Sequence, residues 1–288
     1  MRLAHLASGD SLTAETRSAQ GTGAQARLPV TEAQWDDLVD ARRQHIARFL
    51  SWAAEEEAVD SLRLANRRDI GRARRVSDAF GQKWWAAVVY SCFDSEVGAL
   101  AVAEAFHDPL SGEEASRLLT NTVLPAGAVQ NHRTQPGHKG AKLALISACA
   151  RAREFEAILH TGHAFHDRYL ELRGMKAKQW GRTTCYDLLV RTGQLKIGSA
   201  SGYEPDRAYL ADSTGPRGGF HKIWGIEVTR SNADECEALL CRWSERWLQV
   251  ADQVGLSWRG EAYGPGDFEN ALCIFQERGN PGYGIASS

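Results

Sequence analysis

The chain has 288 residues, of which 43% are hydrophobic and 24% charged, as is usual for a globular protein with a packed core. A net charge of −2 argues against a protein that coats nucleic acid through a general positive excess, but it is compatible with a local basic surface. No apolar run approaches the roughly 20 residues that span a bilayer, and residues 1–28 lack the apolar segment of a secretory signal. We therefore expect a cytoplasmic protein that does not contact membranes.

The metal-binding residue types are dispersed. The six cysteines lie far apart without a C-x-x-C pair, which predicts reduced, buried thiols and argues against zinc and iron–sulfur sites. His160, His163 and His166 recur every three residues, but no carboxylate or cysteine completes a ligand set. The sequence therefore predicts neither a metal nor a cofactor.

Sequence patterns typical of helices dominate the chain. Residues 1–28 are predicted to be a flexible tail, and residues 29–288 a single helical domain. Thr31 with Gln34, and Ser111 with Glu114, have the spacing of capping boxes at helix starts. The apolar, alanine-containing stretch 84–106 predicts a buried helix, and residues 125–142 predict a basic loop rich in glycine and proline.

Three more helices are predicted in the second half outside the central segment. The first covers residues 143–159, the second is long and amphipathic from Ser231 to Gly255, and the last runs from Asp267 to Phe275. Because strand-like alternation is scarce, the predicted class is all-α.

Residues 165–224 carry the most information about function. A helix from Phe165 to Gly174, a short basic turn, and a second helix from Thr183 to Gly193 are predicted. A glycine in such a turn lets the backbone approach a phosphate, and the N–H groups that begin the second helix attract it. Lys176, Lys178 and Arg182 add positive charge.

The string Trp180-Gly181-Arg182-Thr183-Thr184-Cys185 resembles the hairpin and second-helix start of helix–hairpin–helix proteins. The Gly/Pro-rich stretch that follows, Tyr203–Asp206 and Tyr209–Phe220, resembles that of the DNA glycosylases of this superfamily, in which it contains an essential aspartate. Residues 266–272 are similar to the closing helix of bacterial proteins with an 8-oxoguanine DNA glycosylase-like fold. The resemblance implies two helical lobes around a cleft that binds double-stranded DNA.

The resemblance also implies roles for individual residues. Asp206 best matches the essential aspartate, with an exposed turn residue beside Pro205 as the alternative. Asp187 is the second candidate, although pairing with Arg182 or Arg191 on a helix surface is the favoured interpretation. Lys178 is either a nucleophile or a solvated lysine, because Thr183 occupies the position of the lysine used by strand-cleaving members. Trp180 and Trp224 are candidates for stacking on an extruded base. The predicted DNA-binding residues are Lys176, Trp180, Gly181, Arg182, Thr183, Thr184, Arg217 and Lys222.

The sequence thus predicts a DNA-binding protein that cleaves the N-glycosidic bond of a damaged or modified base. Two alternatives stay open. The first is a helix–hairpin–helix module that binds DNA without catalysis, which Thr183 favours. The second is an interaction component of a phage-defence system, which the negative net charge suits.

Overall fold

The computed structural model describes residues 31–54, 70–129, 137–198, 205–258 and 262–278, and every regular element in these ranges is helical. In chain order the elements are α1 (Glu32–Ala41), α2 (Arg43–Ala54), α3 (70–79), α4 (Lys83–Phe93), α5 (Glu96–Ala105), α6 (Gly112–Asn121), α7 (Gly137–Ala150), α8 (Ala152–His160), α9 (Phe165–Gly174), α10 (Arg182–Gln194), the 3-10 turn η1 (Leu210–Asp212), α11 (Thr214–Trp224), α12 (Ala233–Glu245), α13 (Trp247–Gln253) and α14 (Pro265–Arg278). The all-α prediction is confirmed for this part of the chain.

Buried apolar side chains form two clusters. The first core gathers α3 to α10 around α4, in which every residue from Trp84 to Phe93 is buried. The second core joins α1 and α2 to the C-terminal helices α11 to α14. Burying one large apolar side chain contributes about 1.5–3 kcal/mol, so each cluster is a substantial source of stability. The two ends of the described chain therefore share one core, while its middle builds the other.

The segment before α11 contacts both cores. The side chain of Tyr209 belongs to the first cluster, whereas Ala208 and Leu210 belong to the second. Tyr209 has a φ of 55°, a left-handed conformation that is unusual for an aromatic residue. This backbone conformation sends neighbouring side chains to different cores.

The Gly/Pro-rich stretch Tyr209–Phe220 is not a loop throughout, because residues 214–219 form the first half of α11. Pro216 is tolerated in the first turn because the N–H groups there have no acceptor within the helix. The glycines face α14: a Cβ atom on Gly219 would lie 2.2 Å from the Leu272 carbonyl oxygen, and one on Gly215 would lie 2.5 Å from Cys273 Sγ. The glycines thus allow two helices to pack closely.

Three predicted helices are each divided in two. Residues 84–106 form α4 and α5, which Asp94 in a left-handed conformation separates before Ser95 caps α5. Residues 143–159 divide at Arg151, and the helix predicted from Ser231 divides at Arg246 and begins after Asn232 instead. The apolar pattern continues across each break because both halves pack on the same core.

Predictions that rest on local signals are confirmed. Thr31 and Ser111 each form a complete capping box with the predicted partner. Helix α9 ends at Gly174 as predicted, α10 begins one residue before Thr183, and Gly255 has a φ of 84° beyond the end of α13. The predicted tail 1–28 lies outside the described residues, as does 130–136 of the predicted loop 125–142, while its last part belongs to α7. None of the described helices is both long and apolar enough to cross a membrane.

Candidate functional site

A short hairpin, residues 175–181, joins α9 to α10. Lys176 and Gln179 have left-handed φ angles of 51° and 67°, which turn the chain back within a few residues. Two hydrogen bonds fasten the hairpin to α7: the backbone N–H of Lys178 donates to Ser147 Oγ at 2.8 Å, and Trp180 Nε1 donates to the Ala144 carbonyl at 3.0 Å. The hairpin is therefore anchored to the first core.

Helix α10 begins at this hairpin. Gly181 is its extended N-cap residue and is exposed, and a Cβ atom added there would meet nothing within 4 Å. The first N–H groups of a helix have no acceptor within it, so this end carries partial positive charge. It is thus a position at which an anionic group can approach the backbone.

A cleft of about 630 Å³ opens beside the start of α10. One wall consists of the hairpin, α10 and the end of α4, which pack on the first core, and the other is the start of α11, which packs on the second. The lining residues are Ser91, Asp94, Ala177, Gln179, Trp180, Gly181, Arg182, Thr183, Thr184, Asp187, Asp212, Ser213 and Thr214. Hydroxyl and carboxyl groups are prominent in this lining.

Two ion pairs border the cleft. Arg191 binds Asp94, and its guanidinium lies 4.1 Å from the centre of the Tyr90 ring. Arg182 contacts Glu269 of α14 at 2.5 Å, with both side chains mostly buried. Besides Asp94, the acidic residues of the lining are Asp187 and Asp212.

Asp212 ends η1, just before α11. It is exposed, and the hydroxyl of buried Tyr169 donates to its Oδ2 at 3.2 Å. The preceding backbone is held from α12, where Glu237 accepts hydrogen bonds from the N–H groups of Ala208 and Leu210 at 2.8 and 2.6 Å. Burial raises the pKa of the Glu237 carboxyl despite these two hydrogen bonds. Asp212 is therefore held in place from both α9 and α12.

The structure brings together only part of the predicted site. Of the predicted residues, those in the cleft lining are Trp180, Gly181, Arg182, Thr183, Thr184 and Asp187. Lys176 and Lys178 are exposed on the hairpin outside the lining, and Arg217 is half-buried on α11. Lys222 Nζ donates to the Gln276 carbonyl and so faces α14.

Two predictions do not match the geometry of the cleft. Asp206 is exposed outside the cleft lining, and its charge acts on Glu237 and Cys241 of α12, because the chain turns towards the cleft only after Tyr209. Trp180 and Trp224 are 5% and 0% exposed, so neither indole presents a face to a base. The indole of Trp180 packs 4.5 Å from the ring of Phe155 instead.

Asp212 is the residue that sequence reasoning missed. It lies in the same Gly/Pro-rich stretch as Asp206, but it directly precedes the Ser213-Thr214 start of a helix. Ser213 is the N-cap residue of α11, and serine is favoured at helix N-caps, so a helix start predicted at Ser213 would have placed Asp212 beside it.

The described residues contain no group of three or more histidine, cysteine or acidic side chains placed to hold a metal. The three regularly spaced histidines have separate partners: the Nδ1 atoms of His160, His163 and His166 contact the Glu156 carbonyl, Glu171 and the Tyr209 hydroxyl. The cysteines are free thiols, and burial raises the pKa of Cys185 to about 12.

No protein-family model matches the chain, and comparisons with curated proteins and with solved structures give no match either. Arguments about function therefore depend on the cleft itself.

Proposed function

We propose that this protein binds double-stranded DNA and hydrolyses the N-glycosidic bond of a damaged or modified base in the cleft. One observation carries the proposal: the hairpin, the start of α10 and the Asp212 carboxyl line the same cleft. The first two suit a phosphate and the third suits a cation, and a nucleotide whose glycosidic bond is breaking carries both charges. The two cores would then form the two lobes of a glycosylase-like fold.

Phosphate binding is assigned to the hairpin. The exposed Gly181 gives a phosphate oxygen access to the N–H groups that begin α10, where the helix dipole adds to the attraction. Lys176 and Lys178 are exposed on the same hairpin and would face neighbouring phosphates. Because lysine contacts to phosphates release counterions, replacing both lysines by alanine should weaken duplex binding and lower its salt dependence.

The chemistry is assigned to Asp212 with Asp187. When the glycosidic bond breaks, the base leaves with the bonding electrons and positive charge develops on the sugar, which a fixed carboxylate stabilises. A water molecule then adds its oxygen to C1′, and the proton that it loses balances the proton that the departing base takes up. No lysine is present among the described residues of the lining. In the glycosylases that the hairpin resembles, the strand-cleaving members have their nucleophilic lysine at the position that Thr183 occupies here. We therefore propose hydrolysis without a covalent intermediate.

The test uses end-labelled duplexes that contain 8-oxoguanine, uracil, other modified bases or an abasic site, with borohydride added in parallel. We expect base release without a trapped adduct, and a loss of about 100-fold in rate for Asp212→Asn. Asp206→Asn is the matched control, since Asp206 lies in the same stretch but outside the cleft lining. Equal losses for the two variants would refute the assignment of Asp212, and an adduct that Lys178→Ala abolishes would restore the lysine.

A DNA-binding module without catalysis is the second candidate. Thr183 and the lysine-free lining among the described residues favour it. Salt-dependent binding of duplex with no base release from any substrate would decide for this candidate. Failure to bind duplex at low salt would reject both and would favour a protein-interaction component.

A further inference from the structure

A buried tyrosine of α9, Tyr169, donates a hydrogen bond to the Asp212 carboxyl group in the cleft. Tyr169 is 2% exposed and packs in the first core, and its hydroxyl reaches Asp212, which ends η1 just before α11. Its ring lies 4.4 Å from the ring of Tyr209 and is stacked on His166, with ring centres 6.4 Å apart. These contacts fix the direction of the hydroxyl group.

The phenol of Tyr169 is suited to remain a donor. Burial raises its pKa, and the negative charge of Asp212 raises it further, while Arg173 and Arg182 act in the opposite direction. Tyr169 is thus neutral at physiological pH, and its hydrogen goes to the carboxyl oxygen beside it.

We propose that Tyr169 is a positioning residue, whose hydroxyl group orients the Asp212 carboxylate for the reaction in the cleft. The inference rests on the proposed function. A hydrogen bond to a charged group is stronger than one between neutral groups. Because the Tyr169 ring is already held by packing, little conformational entropy is lost when its hydroxyl binds Asp212. Asp212 itself is exposed, so without Tyr169 its carboxyl group would sample several orientations in water.

A first experiment needs no activity. In protein with 13C-labelled tyrosine rings, the signals come from only seven tyrosines, and the signal that disappears in Tyr169→Phe is that of Tyr169. Asp212→Asn should move this signal, because the asparagine carries no charge. Asp206→Asn is the matched control: the charge of Asp206 acts on Tyr209, so this variant should move the Tyr209 signal and leave that of Tyr169 in place.

A second experiment measures base release. Tyr169→Phe should lower kcat by about tenfold or more, because it removes the hydrogen bond to the charged Asp212 carboxylate. Duplex affinity should change little, since the phosphate-binding hairpin is left intact. Tyr209→Phe removes a hydroxyl from the same aromatic cluster, but one that contacts His166, and should cost clearly less. Equal losses for the two variants would mean that the cluster is only structural and would overturn the inference.

The two experiments separate the inference from the proposed function. A Tyr169 signal that does not respond to Asp212→Asn overturns the inference even if the wild-type protein releases base. If the wild-type protein releases no base, the proposed function fails, and the Tyr169 signal still decides whether Tyr169 holds Asp212.

Discussion

Replacing Gly219 by alanine tests how closely α11 and α14 must pack. The new Cβ atom would lie 2.2 Å from the carbonyl oxygen of Leu272, and 2.8 and 2.9 Å from its carbonyl carbon and Cα. All three are backbone atoms, so no side chain can rotate away. Relief of the overlap requires the helices to separate by roughly 1 Å, which weakens the dispersion contacts along the interface.

The expected cost follows from two opposing effects. Overpacking a core costs about 1–3 kcal/mol, whereas alanine in place of glycine gains up to about 1 kcal/mol in a helix. We therefore expect Gly219→Ala to lower the free energy of unfolding by about 1–2 kcal/mol. At about 2–4 °C per kcal/mol for a chain of this size class, the melting temperature should fall by several degrees.

Gly174→Ala is the matched control in urea and thermal unfolding followed by circular dichroism. Gly174 is also helical, but a Cβ atom there would meet nothing within 4 Å, so alanine should leave stability unchanged or raise it slightly. If Gly219→Ala were as stable as the wild-type protein, or if both variants lost the same amount, the close helix contact would not be the reason for the glycine.

Three further predictions concern other contacts. Arg42→Ala removes hydrogen bonds from the guanidinium to the Ile223 and Lys222 carbonyls at the end of α11, and should lower the free energy of urea unfolding by about 1–3 kcal/mol. Burial raises the pKa of Glu237 above 4.5, so its ionisation opposes folding at higher pH. Glu237→Gln should therefore gain stability relative to the wild-type protein as the pH rises from 4 to 7. A stability difference between the two proteins that does not change with pH would contradict this. Thr183→Lys places an amine in the cleft lining and, under the proposed function, should create a borohydride-trapped adduct with damaged duplex; no adduct despite base release would mean that position 183 lies away from C1′.

Predictions from the sequence succeeded where a few neighbouring residues determine the structure. The capping boxes at Thr31 and Ser111 involve partners three residues away, and the α9 and α10 boundaries follow from the glycines at 174 and 181. The break at Asp94 escaped prediction, because its left-handed conformation depends on tertiary contacts such as the ion pair with Arg191, distant in sequence.

The candidate site could be predicted only in its hairpin half. Residues 180–184 and Asp187 line the cleft because they are consecutive or share a helix. Asp212 was not among the predicted residues, since the direction of the carboxyl groups in this stretch depends on how Glu237 holds the backbone of Ala208 and Leu210. The helical conformation of the glycine-rich residues 214–219 escaped prediction for a similar reason. The helix against which these glycines pack, α14, lies about 50 residues further along the chain.

The packing of α11 and the geometry of the cleft are therefore not independent. Asp212 and Ser213 immediately precede α11, and Ser213 Oγ donates to the Tyr209 carbonyl at 2.9 Å, so the start of the helix is fixed to the strained residue before it. A shift of α11 away from α14 would pull on this segment while Tyr169 and Glu237 hold it from the other side. A substitution such as Gly219→Ala should accordingly disturb the Asp212 carboxyl as well as stability, although Gly219 is absent from the cleft lining. A response of the Tyr169 ring signal in Gly219→Ala, but not in Gly174→Ala, would demonstrate this coupling.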